Sequence, residues 1–175
     1  MGRIRETTPV TLICGIIAVD ADVLRLAVER LTALFGPIGL ESEVFPFTFT
    51  DYYRAEMGDG LLRKFISFST PIDPGSLASI KTQTNRLEDE LAVVADTQTR
   101  RQVNLDPGYI TASKLVLATT KDFSHRLYLG QGIYGEVTLG FRKDGCVAHP
   151  WTYPDFRSGT YDAFFLAVRR TCPRV

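Results

Sequence analysis

The sequence predicts an α+β domain built as a ferredoxin-like βαββαβ sandwich. Its antiparallel sheet carries two helices on one face and is extended by a C-terminal β-hairpin and helix. Three observations predict it: β-branched runs alternate with segments of helical period in that order; the stretch 100–139 is dense in strand-forming residues; and 175 residues suit one domain, here 1–175, with a real core.

The elements follow in turn. Residues 9–19 (PVTLICGIIAV) form a β-branched apolar run, the first and a central strand. Asp20 or Asp22 caps a helix whose Leu24, Ala27, Val28, Leu31, Leu34 and Phe35 recur at steps of three and four, and Gly36-Pro37 stops it. Alternation over 43–49 predicts a second strand, with Pro46 marking an edge or a bulge. After the polar loop TDYYRAEMGDG, residues 61–70 (LLRKFISFST) read as a third strand. Asp73 and Pro74 open a second helix along Leu77, Ile80, Thr84, Leu87, Leu91 and Val94. Residues 101–105 (RQVNL) supply the next strand, and 111–120 fit helix and strand equally. A hairpin pairs 126–129 with 134–141, and a last helix begins near Gly159, where Tyr161, Phe164, Phe165 and Val168 form a core stripe.

Bulk properties exclude several classes. The 45% apolar and 23% charged residues are those of a globular chain, and a net charge of +0 gives no general attraction to nucleic acid or anionic membrane. No apolar run reaches membrane length and the N-terminus shows no secretory signal; with three scattered cysteines, Cys14, Cys146 and Cys172, this suits a reduced, cytoplasmic protein. There is no CxxC pair, so no structural zinc site is expected.

Candidate chemistry concentrates in 100–139. Asp106-Pro107-Gly108 is read as a turn at a strand end, where the Asp106 carboxylate ligates a cation, acts as a base or simply caps the turn, with Tyr109 beside it. Lys114, Lys121, His125 and Arg126 form a local cationic cluster. Arg126 offers a bidentate fork for a phosphate or carboxylate and His125 a proton carrier; a solvated loop is the plainer alternative. Leu129 to Val137 contains GxGxxGxV, the phosphate-covering hairpin of protein kinases, but no HRD or DFG segment accompanies it and no P-loop occurs. What remains is a tight glycine turn, as any hairpin needs or as a ligand approach uses. Glu136 sits within the following strand, facing either water or a polar site beside Arg126. Trp151 and Tyr153, in PWTYPD, are rings able to stack on a base or sugar or to lid the core, and the 51–56 loop either closes over the same site or simply caps a hairpin.

These strings, FTDYYRAEMG (49–58), RRQVNLDPGYI (100–110), KLVLATTKDFSHRLYLGQGIY (114–134), EVTL (136–139) and PWTYPDFRS (150–158), resemble a family catalogued as domain of unknown function 4416, almost end to end. The resemblance implies a small, stand-alone bacterial protein and carries no established activity. Position 135 is often alanine in that family, which turns attention from the glycines to Asp106, His125, Arg126 and Glu136. Cys146 and His149 depart from its pattern and support no metal site.

The expectation is therefore an enzyme or binding protein for a small phosphorylated or nucleotide-like anion. Asp106, His125 and Glu136 are the candidate catalytic groups, with Asp106 and His125 as acid/base or metal-bridging groups, and Lys114, Arg126, Tyr109, Trp151 and Tyr153 line the ligand. No cofactor is specified. The rival class is a non-catalytic interaction module using an edge strand or the YPDF surface. An RNA-binding sheet is disfavoured because its aromatic strand signature is absent. Oligomeric state is not readable.

Overall fold

The computed structural model describes residues 2–3, 6–95, 98–143 and 145–173. Element order is β1 (Thr11–Ala18), α1 (Ala21–Phe35), β2 (Ile38–Glu41), β3 (Phe45–Pro46), α2 (Arg54–Met57), β4 (Leu62–Phe68), α3 (Leu77–Leu91), β5 (Val93–Ala95), β6 (Gln98–Arg100), β7 (Val103–Ile110), β8 (Lys114–Thr119), β9 (Leu127–Gly130), β10 (Ile133–Arg142), β11 (Gly145–Ala148), α4 (Pro154–Arg157) and α5 (Asp162–Thr171). Among the described residues nine strands join in one antiparallel sheet, ordered β11-β10-β8-β7-β1-β4-β2, with β3 added on β4 and β9 on β10; β5 and β6 form a separate hairpin.

β1 lies at the centre because every one of its eight residues is buried, so both of its faces need cover. Leu12, Cys14, Ile16 and Ala18 pack with Leu24, Ala27 and Leu31 of α1 and with Ile80 and Leu87 of α3. Ile13, on the opposite face, packs with Phe65, Phe156, Tyr161, Phe164, Phe165 and Val168 around α4 and α5. The result is three layers, with helices on both faces of the sheet where the sequence predicts them on one. The cause is the aromatic stripe of α5, which needs an apolar surface and finds it on the face α1 and α3 leave bare. Asp20 accepts the Val23 amide at 2.8 Å to start α1, and Gly36 ends it with φ +92°, as the sequence indicates.

Several local expectations are corrected. The second strand shrinks to two residues at β3, and β2 forms ahead of it. α3 stops at Leu91, so Val94 lies on an exposed two-stranded hairpin rather than on a helix face. The ambiguous 111–120 segment contains strand β8. Asp106-Pro107-Gly108 does not turn the chain at all: it lies inside β7.

That last correction governs the architecture. β7 and β8 form a hairpin zipped over only three pairs, Gly108↔Leu117, Tyr109↔Val116 and Ile110↔Leu115. Beyond Gly108 they part, and β8 stays with β10 through Ala118 and Thr119. Pro107, which has no N–H to give a neighbour, stands at the point of divergence. There α3 takes over from the missing strand: Glu88 Oε1 accepts the Leu105 amide at 2.7 Å, and Lys81 Nζ donates to the Leu105 carbonyl at 2.6 Å. A polar pair seven residues apart on one helix face thus satisfies the backbone that β8 abandons.

The zipped end depends on close approach at Gly108, where a Cβ would sit 2.2 Å from the Val116 carbonyl oxygen and 2.7 Å from Leu117 Cδ2. Gly108→Ala is expected to cost about 3 kcal/mol in urea unfolding. Gly140→Ala, whose Cβ would meet only ordinary contacts from 3.7 Å, is expected to cost under about 1 kcal/mol. Equal costs for the two would contradict this account of the hairpin.

Candidate active cleft

Where β7 and β8 part, a cleft of about 800 Å³ opens, within the roughly 300–1,000 Å³ of small-molecule sites. Asn104 and Asp106 of β7, Arg63 of β4, and Lys81 and Glu88 of α3 line it. So do rings from the 47–53 segment, the end of β8 through Lys121, Glu136 of β10, and the 153–156 segment.

Arg63 is the most unusual residue of the floor, a guanidinium on an interior strand with 1% exposure. It lies across β1 at Gly15, which has no Cβ; one placed there would be 2.9 Å from Arg63 Nη2. Its plane faces the rings of Phe65, Phe156 and Phe47 at 4.5, 5.5 and 5.9 Å. Nη1 donates to Asp106 Oδ2 at 3.0 Å. Burial works against the charge on Arg63, but the neighbouring Asp106 and Asp155 outweigh it and hold the guanidinium above its ordinary pKa. For Asp106, burial pushes the pKa up, yet Arg63, Lys81 and the Asn104 amide together bring it below the usual aspartate value. Asp155, buried on α4, is pushed the other way, mainly by burial, with Asp106 adding to the rise. Two carboxyls near one cation, one pushed down and the other pushed up, are a pairing suited to moving a proton.

A second network closes the α3 side. Glu88 receives Arg101 as well as the Leu105 amide, and lies 3.7 Å from Lys81 Nζ. Arg101 also donates to Asn104 Oδ1 at 2.5 Å and reaches Glu56 at 3.5 Å. Burial raises the pKa of Glu88 despite both cations. Two buried N–H groups in this lining meet no hydrogen-bond acceptor in full geometry among the described residues: Arg63 Nε and Asn104 Nδ2. The Asn104 amide also faces Asp106, close enough to favour its ionised form. At the mouth, Lys121 Nζ donates to Tyr52 Oη at 2.5 Å and sits 4.3 Å from the centre of that ring.

The residues singled out from sequence divide into three groups. Asp106 is on the floor, paired with Arg63. Glu136, His125 and Arg126 meet in a cluster of their own. The buried Glu136 Oε2 lies 3.2 Å from His125 Nε2 and accepts Arg126 Nε at 2.8 Å, while Thr138 donates to Oε1 at 3.1 Å. Arg126 donates onward to Tyr153 Oη at 2.9 Å and to the Lys121 carbonyl at 3.0 Å. Glu136 and Tyr153 line the cleft, and His125 and Arg126 stand behind them. Burial, then Glu136, pushes the Tyr153 hydroxyl up to about 12.

The third group lies away from the cleft. Lys114 is at the turn end of the β7–β8 hairpin, on the far end of β8 from Thr119, and Tyr109 packs beside Leu77 and Val116 in the zipped part. The Gly130-Gln131-Gly132 turn is a hairpin turn with φ of +106°, +56° and +75°, outside the cleft lining. Trp151 is held flat between His125 and His149, at 5.1 and 5.0 Å, with Nε1 donating to the Val137 carbonyl at the β10 bulge. Among the described residues no group of three or more His, Cys, Asp and Glu is arranged to hold a metal.

Sequence reasoning missed Arg63, Lys81, Glu88, Arg101, Asn104 and Asp155. A signal existed for two of them: Lys81 and Glu88 recur at seven residues beside the apolar positions of α3, so a core-facing charge pair was written in the helix pattern.

Removing the partner of the buried Arg63 leaves its charge without compensation, so Asp106→Asn is expected to cost about 3 kcal/mol near neutral pH. Because folding lowers the Asp106 pKa, that contribution is full above the unfolded value of about 3.9 and is lost as pH falls through the folded value. Urea midpoints of native and variant protein should therefore converge in acid; a constant gap would contradict the pairing.

No curated protein and no solved structure matches the chain. The model of one family does match it, over residues 8–171, and the chain belongs to that family, described as Domain of unknown function (DUF4416).

Proposed function

We propose that the cleft binds a small phosphorylated or nucleotide-like anion. The observation that carries this reading is the pair of buried donors, Arg63 Nε and Asn104 Nδ2, which close no hydrogen bond of full geometry among the described residues. A buried N–H without a partner is costly, and an oxygen-rich ligand group supplies the acceptors both require. Lys121 at the mouth adds a cation whose hydrogen bond goes to a phenol rather than a carboxylate. Phe49, Tyr52 and Tyr153 present partly exposed ring surface to the same space, suited to the planar part of such a ligand. Asp155 and Asp106 are the carboxyls placed for proton transfer if the ligand is turned over, and Glu136 fixes Arg126, which in turn holds Tyr153. The β7-β1-β4-β2 order with α1 and α3 is read as a ferredoxin-like unit to which β8–β11, α4 and α5 are attached.

Thermal-shift titration with inorganic phosphate, sugar phosphates and nucleoside monophosphates tests the reading, because a ligand that binds only the native state stabilises it by mass action. Asn104→Asp keeps the acceptor for Arg101 but replaces the open donor with a carboxylate oxygen; it should weaken binding about tenfold or more. Lys121→Ala, at the exposed mouth, should weaken it several-fold. Unchanged affinity in both variants would refute this function.

A further inference from the structure

Granting the anion site of the cleft, on which this rests, we propose that its ligand has two halves, a nucleoside joined through a pyrophosphate to a sugar, with the sugar seated in a second cavity beyond Arg101. That cavity, of about 740 Å³, is lined by Arg54, Glu56, Thr99 and Gln102 among others. Glu88, Asp89 and Arg101 line both it and the cleft, so the two are neighbours across one wall. Each alone has the volume of a small-molecule site.

The wall includes a side chain with one loosely held end. Arg101 Nε donates to the Val103 carbonyl at 3.1 Å, and Nη2 is engaged by Glu88 and by Asn104 Oδ1. Among the described residues Nη1 meets only Glu56 Oε2, at 3.5 Å, and the Glu56 side chain is 53% exposed. Such a pair is weak, and an oxyanion entering beside it can take the carboxylate's place. Asn104 Nδ2, which meets no acceptor in full geometry, belongs to the side chain that Arg101 holds. One available donor on each of two joined side chains suits two linked phosphoryl groups better than one.

The chemistry of the two cavities decides which half goes where. The cleft is walled by rings, those of Phe47, Phe49, Tyr52, Tyr53, Tyr153 and Phe156. The second cavity has no aromatic ring in its described lining. It offers instead the guanidinium of Arg54, the hydroxyl of Thr99, the amide of Gln102 and the carboxylates of Glu56 and Asp89. A planar base needs the first kind of wall. A hydroxyl-rich ring, donor and acceptor at every oxygen, needs the second. Two identical nucleoside halves would leave one base with no ring to stack on.

Calorimetric and thermal-shift titrations with AMP, ADP and ADP-glucose, and with the uridine series, test this. Affinity is expected to rise at each step, with the nucleoside diphosphate sugar binding about tenfold or more tighter than its diphosphate. Ala55→Trp, at an exposed position of α2, fills the second cavity and leaves the cleft lining untouched. It is expected to reduce ADP-glucose to the affinity of ADP and to leave AMP unchanged. Glu56→Gln removes the carboxylate that competes for Arg101 Nη1, and decides independently. It is expected to tighten ADP and ADP-glucose several-fold and AMP not at all. Sugar nucleotides that bind no tighter than the monophosphates overturn the proposal and leave the anion site standing, as does an Ala55→Trp chain that keeps the full preference. Absence of binding by every phosphate overturns both.

Discussion

The guanidinium of Arg63 sits in the middle of a sheet, under aromatic rings, and its charge must be answered there. Asp106 answers it across β1, and Gly15 makes the passage possible by offering no side chain in between. Three strands are therefore tied by one polar contact. A buried pair of this kind is poor value for stability against a hydrophobic substitute, because both ions give up hydration. Its retention at the bottom of a cleft is better understood as preparation of a charged floor than as reinforcement of the core.

The cleft itself follows from how β7 is built. Gly108 lets β8 approach closely at one end of the hairpin, and Pro107 removes the donor that a continuing ladder would use. The strands then diverge, and a helix, not a strand, completes the backbone of Leu105 through Lys81 and Glu88. The same two side chains bring charge to the cleft wall, with Arg101 and Asn104 attached to Glu88 directly or through one step. Opening and polarity thus share one cause. On the other wall, Glu136 gathers His125 and Arg126 and through Tyr153 sets a ring at the cleft edge, so the residues that drew notice in the sequence act on the site from behind it.

Much of the scaffold was legible in the chain. The unbroken apolar run of β1, the three-and-four spacing and caps of α1, and the aromatic stripe of α5 each contain within a few residues the information that shapes them. Short strands such as β2 and β11 carry too few residues for a period to show. Asp-Pro-Gly was misread because its usual local meaning, a turn, was overridden by tertiary placement: in β7 the proline faces a gap. The site was less legible for a related reason. Arg63 and Asp106 are 43 residues apart, and nothing near either one announces the other. Lys114 stood in the cationic stretch by sequence but at the wrong end of its strand in space. Lys81 and Glu88 were readable in principle, since charges at core-facing helix positions require partners.

The Nε–H resonance of Arg63 reports most directly on the account as a whole. In a ¹⁵N-correlated spectrum, titration with a phosphate-bearing ligand should move that resonance downfield in step with occupancy, together with the side-chain amide of Asn104. A ligand that binds and stabilises the protein while leaving both signals unmoved would show that the floor of this cleft is not where the anion goes.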